Sequence, residues 1–317
     1  QRAFPDGRAF YSYQFRNLLI FFAFLSAGGI AVLLTRWPVM RRRFGRILLW
    51  SILPIGLTAG ELFILGHGFN PAVEPALLSF KPPAVAFLEA QARPFRLTTF
   101  NAPGEKTFNA NVGMFYGLED VRGYDSIITK QYVEYMDRIA PQANELLYNR
   151  IAPIYIPQYD ALDSRLLDLL NVRYVMSTHA IPNPGYRLVY QGEVRIYENQ
   201  DALPRAFFVA QERVLPRPAL LEHLSALEPT REVLLEEEPA PADRSALEAG
   251  RAPTPYRPAE AVRYGMNLVE VDISADGAGW LVLADSYFPG WKAYVRPQGG
   301  SQDDEVERPI YRADGNF

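Results

Sequence analysis

Two apolar runs near the start of the chain restrict its fold more than any other feature. Residues 17–35 (NLLIFFAFLSAGGIAVLLT) carry no charge, and residues 47–66 (ILLWSILPIGLTAGELFILG) carry one, Glu61. Each has the length of about 20 apolar residues that a helix needs to cross a bilayer's hydrocarbon core. Inside hydrocarbon each backbone N–H and C=O must find its partner within the segment, so a spanning run is helical. A pair of buried helices in a large soluble protein has a similar composition. Two such runs side by side with charged flanks favour two transmembrane helices.

The connection between them, residues 36–46, holds five arginines in eleven residues. Short loops rich in arginine stay on the cytoplasmic side, which orients the pair. Residues 1–16 are then the end of an outer loop, and residues 67–317 an extracytoplasmic region of a multi-pass protein. Trp37 and Trp50 fall near the inner interface, where indole rings are favoured. Charge divides in the same place. Residues 1–66 sum to +6, while the whole chain is −4, so residues 67–317 carry −10. An outer region this acidic argues against nucleic acid, which is bound by clustered cations. The absence of cysteine excludes disulfides and thiolate metal sites and agrees with an oxidising exterior. Gln1 is not an initiator methionine and residues 310–317 read as a strand, so a longer protein is expected in both directions.

Glu61 lies about 21 Å along the second run, at about 1.5 Å per residue. A carboxylate at that depth either faces a water-filled cavity or reaches the interface near the helix end. Pro54, near the middle of that run, is expected to kink it.

The outer region reads as three parts. Residues 67–235 form a mixed α/β domain. Prolines open a helix over 82–92, residues 96–100 are a strand, and helices follow at 132–140 and 161–170. Residues 171–176 are a strand, and 186–190 with 193–197 a hairpin that 206–210 extends. Residues 236–259, rich in Glu, Pro and Ala, read as a linker. Residues 260–317 read as an antiparallel, jelly-roll-like β-sandwich that is cut short. Residues 267–273 alternate as a half-buried strand, and 280–284 (WLVLA) is apolar on both faces, as a central strand is.

Chemistry is sparse. His67, His179 and His223 are far apart and without partners at metal-ligand spacing, so no metal site and no serine triad is expected. Phosphate-cradling loops are absent, and no cofactor is expected. The densest polar cluster is residues 119–125 (EDVRGYD), with Glu119, Asp120, Arg122, Tyr124 and Asp125. It is either a contact for a sugar or lipid phosphate, with Arg122 as anion clamp, or a buried loop whose Asp120–Arg122 pair stabilises the domain; the second is favoured. Residues 303–305 read as a solvated acidic loop rather than a cation site. Trp291, with Tyr287 and Phe288, either stacks on a sugar ring or packs the sandwich edge.

Four stretches carry a family likeness: residues 61–71 (ELFILGHGFNP), 116–126 (YGLEDVRGYDS), 169–175 with 197–207 (LLNVRYV, YENQDALPRAF), and 281–295 with 309–314 (LVLADSYFPGWKAYV, PIYRAD). In these the chain resembles the C-terminal portion of the YfhO family of bacterial membrane proteins, which belong with the multi-span GT-C type glycosyltransferases. The loop at 296–308 is longer than the tight turn expected of the family. The resemblance implies a polytopic enzyme that moves a sugar from a polyprenyl-phosphate carrier in the membrane to an envelope glycan or polymer. It carries over no catalytic residue, because the acid of such enzymes lies in the first outer loop. The alternative is a non-enzymatic, membrane-anchored envelope protein whose outer domains bind glycan or a protein partner. Glu61, Asp120, Arg122, Asp125 and Trp291 are the candidate substrate contacts.

Overall fold

The computed structural model describes residues 4–37, 52–67, 73–141, 150–151 and 154–317, which fall into two compact units, 1–80 and 81–317.

In the first unit, α1 (Gly7–Arg36) starts at Asp6, whose Oδ1 accepts the Ala9 N–H at 2.7 Å. This cap starts the helix well before the charge-free run, so residues 7–16, expected as loop, are helical. Within it Gly7–Leu34, 28 residues containing an 18-residue stretch of mean hydropathy 2.3, is long and apolar enough to cross a membrane. At 1.5 Å per residue it covers about 42 Å against a core of about 30 Å. Its large side chains, Phe21, Phe22, Leu25 and Leu33 among them, are exposed. The described part of the second run is α2 (Leu53–Gly66), 14 residues and by itself shorter than a span. Pro54 sits in the first turn of this described helix. The helices meet at Gly60, where an added Cβ would lie 3.8 Å from the Phe24 ring. Residues 38–51, with most of the arginine-rich connection and Trp50, lie outside the described residues. A short helix, α3 (Pro75–Leu78), follows.

The second unit is built on a six-stranded mixed sheet. It takes β1 (Arg96–Asn101), β2 (Glu119–Asp120), β5 (Ile154–Tyr155), β6 (Val172–Ser177), β7 (Tyr186–Gln191) and β8 (Arg195–Asn199). The order is β2-β1-β6-β8-β7, with β5 also on β1. β1 runs parallel to β2, β5 and β6, while β6, β8 and β7 alternate as the expected hairpin. Side chains divide between the faces as the two-residue period demands. Leu97, Tyr174, Met176 and Ile196 face one core, with Val85 and Leu88 of α4 (Pro83–Glu89). Phe100 and Val175 face the other, against α5 (Lys130–Ile139) and α6 (Arg165–Leu169). Both faces being covered explains why β1 and β6 are buried almost throughout. The small antiparallel pair β3 (Gly123–Tyr124) and β4 (Arg150–Ile151) lies outside this sheet.

The remaining chain is β-rich, in several small sheets. β9 (Ala206–Val209) does not extend the hairpin. It is the centre of a three-stranded antiparallel sheet, between β12 (Tyr256–Pro258) and β15 (Trp280–Leu283). All four β9 side chains are buried, whereas β15, expected to be central, is an edge whose Leu281 is exposed. A short apolar run does not distinguish these two places. β10 (Gln211–Val214) pairs in parallel with β11 (Glu232–Leu235), joined through α7 (Arg217–His223). β13 (Ala261–Tyr264) pairs with β14 (Val269–Asp272), and β16 (Ala293–Val295) with β17 (Val306–Arg308).

Residues 236–259 are not a linker. They contain α8 (Pro241–Gly250), which buries Leu247, and then β12. Arg251 fixes the segment by donating from Nη1 and Nη2 to Glu212 at 2.7 and 3.1 Å. Nor do residues 260–317 form a sandwich of their own. β15 shares β9 with residues 206–209, and Ala313 bridges Leu235. Phe317 is buried with its ring 5.4 Å from that of Tyr135 on α5.

Asp314 anchors this return. It sits at φ +48°, its N–H donates to Leu234 O at 2.8 Å, and its Oδ1 accepts Leu234 N–H at 2.8 Å. Burial raises its carboxyl to about 7, with Glu232 adding in the same direction, and burial raises Asp168 to about 6. The folded values lie above the unfolded ones, so the neutral carboxyls' stabilisation is full below about pH 4 and is lost as pH rises through 6 to 7. Thermal unfolding should therefore show a lower midpoint at pH 8 than at pH 5.5. At about 1.4 kcal/mol per unit, the difference amounts to a few kcal/mol. Asp314→Asn keeps the acceptor and tolerates positive φ, so it should raise the pH 8 midpoint and flatten the profile.

Candidate functional site

The polar residues of the second unit converge on two adjoining features, a clamp around one buried arginine and a cleft. The clamp is organised by Arg205, whose side chain is 1% exposed. Arg205 donates from Nη2 to Glu119 Oε2 at 2.8 Å, and from Nη1 to the Tyr264 hydroxyl at 3.0 Å and Asp285 Oδ1 at 3.3 Å. Its Nε donates to Asn171 Oδ1 at 3.3 Å. Arg96 reaches the same carboxylates: Nη2 donates to Asp285 Oδ1 at 2.6 Å, and Nε lies 3.5 Å from Glu119 Oε2. Arg96 Nη1 also donates to Leu170 O at 3.0 Å and Ala284 O at 2.5 Å. Tyr264 closes the ring by donating to Asp285 Oδ2 at 2.8 Å while its face lies 5.5 Å from the Arg205 guanidinium. Two cations and two carboxylates balance, and their donors and acceptors come from β1, β2, β13, the turn before β9 and the turn after β15.

Beside the clamp opens a cleft of about 710 Å³, walled by the β7–β8 hairpin, the turn at 200–204 and the residues around β12 and β13. Its charged lining is Arg93, Arg173, Arg187, Arg205, Glu198 and Glu260; with Arg205 neutralised in the clamp, the other three arginines exceed the two carboxylates by one positive charge in an acidic unit. Arg173 donates from Nε and Nη2 to Glu198 Oε1 at 3.1 and 2.9 Å, and Arg187 donates to Glu198 Oε2. These bonds, that from Arg187 first, hold the Glu198 carboxyl below its usual range and keep it ionised. One carboxylate thus serves two guanidiniums, each with donors left over. Arg93 donates to Gly117 O and makes no ion pair among the described residues. Asn199 and Gln200 add amide groups to the lining. An anionic group flanked by hydroxyls fits this set, because arginine forks bind phosphate or carboxylate and amides bind sugar hydroxyls.

Of the residues singled out in the sequence within the second unit, the structure brings Asp120 and Arg122 together. Asp120 and Arg122 meet at 2.6 Å with both side chains 4% exposed. Arg122 also donates from Nε to Asp120 Oδ1 at 3.0 Å, from Nη1 to Thr99 Oγ1 at 2.7 Å and from Nη2 to Phe108 O at 2.9 Å. With its donors engaged inside the fold, Arg122 is not an anion clamp. Asp125 is exposed, and its Oδ1 accepts Ile127 N–H at 3.3 Å. Trp291 and Phe288 are exposed rather than packed on a sheet edge, while Tyr287 lies 5.0 Å from the Arg312 guanidinium. Glu61 belongs to α2 of the first unit and is partly exposed. Among the described residues, no three His, Cys, Asp or Glu side chains are grouped to hold a metal.

Sequence reading missed Arg96, Arg205 and Asp285, as well as Arg173 and Arg187, and met Glu119 only as a member of the cluster at 119–125. Glu119 and Asp285 lie inside the stretches of the family likeness, but nothing local marks Arg96 and Arg205 as the partners they share. No known protein family, no curated protein and no solved structure matches the chain.

Removing Arg122 strands a buried carboxylate, so Arg122→Leu should destabilise the fold by about 3–5 kcal/mol. Chemical unfolding measures this. Arg187→Ala, at an exposed pair, should cost less than about 1 kcal/mol in the same measurement.

Proposed function

We propose that the chain is part of a multi-pass membrane glycosyltransferase of the GT-C type, in which residues 81–317 serve as an extracytoplasmic module that holds the envelope acceptor. In this reading α1 and the run at 47–66 both span the membrane, with residues 36–46 cytoplasmic. The donor is a sugar on a polyprenyl phosphate, and the carboxylate base comes from elsewhere in the protein. The observation that carries the acceptor-holding role is the cleft at Glu198, where arginines outnumber carboxylates within a region of net charge −10. The resemblance over residues 61–314 supports the enzyme class. The polar side chains in those stretches build the fold, as Arg205 and Arg122 do, which supports a holding rather than a catalytic part for this module.

The second reading, a non-enzymatic anchored binding module, uses the same cleft and is favoured by the same engagement of polar groups. Intact protein in lipid vesicles, given a panel of polyprenyl-phosphate sugars and anionic or neutral envelope polymers, separates the two. The enzyme should transfer sugar to an anionic acceptor. Binding of such a polymer without turnover on any donor would leave only the module. Paired Arg173→Ala and Arg187→Ala substitutions should weaken anionic acceptor binding about tenfold or more, since a hydrogen bond to a charged group is worth about 1.5–3 kcal/mol. Added salt should mimic that loss, and equal binding by the variant would remove the cleft from the proposal.

A further inference from the structure

The loops around β2 and β3 carry an apolar knob that the acceptor cleft does not use. Val112–Tyr116 forms one turn of 3₁₀ helix, and β3 leads into the segment ending at Ile127. Met114, Phe115 and Ile127 are 78%, 69% and 85% exposed, and Tyr124 and Val112 are exposed beside them. Monomeric soluble proteins seldom hold large apolar side chains out together, and where they do the patch marks an interaction site.

The knob is built to hold them out. Asn111 joins its two loops: Nδ2 donates to Tyr124 O at 2.6 Å, and Oδ1 accepts Tyr124 N–H at 3.1 Å. Gly113 is pressed against the chain, since an added Cβ would lie 2.8 Å from Leu118 O. Gly117 closes the turn at φ +63°, in the left-handed region. The side chains therefore project from a braced turn.

We propose that this knob inserts into the interfacial layer of a lipid bilayer. The inference rests on the membrane reading of α1. Three observations choose lipid over a protein partner. The tip combines aromatic rings with Met, Val and Ile, the mixture that partitions into the headgroup–acyl boundary. The chain carries its own membrane-length helix, so lipid is held near the knob at high effective concentration whatever else is present. The one acid in the knob, Asp125, turns Oδ1 back to Ile127 N–H, and Lys130, five residues on in sequence, is exposed, which suits headgroup level. Lys130 lies 3.5 Å from Glu134, so the local charge is close to balanced and apolar contact rather than anionic lipid dominates.

The chain contains no cysteine, which allows single labels without background. Full chain bearing Met114→Cys, Ile127→Cys or, as control, Glu222→Cys is labelled with an environment-sensitive fluorophore. It is then reconstituted into phosphatidylethanolamine–phosphatidylglycerol vesicles, with and without lipids carrying a nitroxide high on the acyl chain. The labels at 114 and 127 should shift to the blue and be quenched severalfold more than the label at 222. Phe115→Ser should reduce the quenching at 127 without lowering the unfolding midpoint, because the ring is exposed. Chain that floats with vesicles but shows equal quenching at all three sites overturns the docking and leaves the membrane anchor standing. Chain that fails to float removes the anchor and the docking with it. Label-to-label contact that grows with protein concentration and ignores the nitroxide would assign the knob to a second copy instead.

Discussion

The interaction on which the second unit depends is the quartet of Arg96, Arg205, Glu119 and Asp285, built around the buried Arg205. Placing a guanidinium at 1% exposure costs several kcal/mol in lost hydration, and only complete pairing offsets it. Arg205 meets that condition with two carboxylates, a phenol and an amide drawn from distant points of the chain. Because each partner sits on a different element, the pairing is satisfied only when the mixed sheet and the β9 sheet are both in place. The clamp is therefore a device for register, and it ties together elements from distant parts of the compact unit 81–317.

A second consequence is electrostatic. The clamp neutralises itself, so the cleft beside it owes its positive excess to Arg93, Arg173 and Arg187 sharing few acids. An acidic protein with a local basic cleft repels polyanions in general and admits anionic groups at one place. That arrangement favours selectivity over bulk attraction, since surface charges act over about 8–10 Å in physiological salt. The reading of the chain as an acceptor-holding part of an envelope enzyme rests on this local contrast and on the resemblance, and on no catalytic group within the described residues.

Much of the core was legible in advance because it follows from period. Alternation along residues 171–176 and 186–197 located β6, β7 and β8, and the prolines at 82–83 located the start of α4. The Asp120–Arg122 pair was also legible as a structural alternative, since two residues of separation let the side chains meet locally. What composition misjudged was the stretch at 236–259. A segment rich in Glu, Pro and Ala is equally compatible with a capped surface helix, and the Arg251–Glu212 pairing and Leu247 burial that fix it are made with distant residues. The β9–β15 pairing failed for the same reason: strand pairing is decided across the fold, and local pattern gives only the existence of each strand.

By itself the sequence determined the apolar helix α1, the acidity of residues 67–317, and the strand and helix periods of the α/β sheet, because hydropathy and side-chain period are local properties that solvent reads directly. Only tertiary structure decided that residues 81–317, read in sequence as three parts, are one unit, that Arg122 faces inward while Arg173 and Arg187 line a cleft, and that Met114, Phe115 and Ile127 stand exposed. Those outcomes depend on which charged and apolar groups meet after some 80 to 190 residues of intervening chain close up, and the free energy of such meetings lies in desolvation and geometry that no short segment encodes.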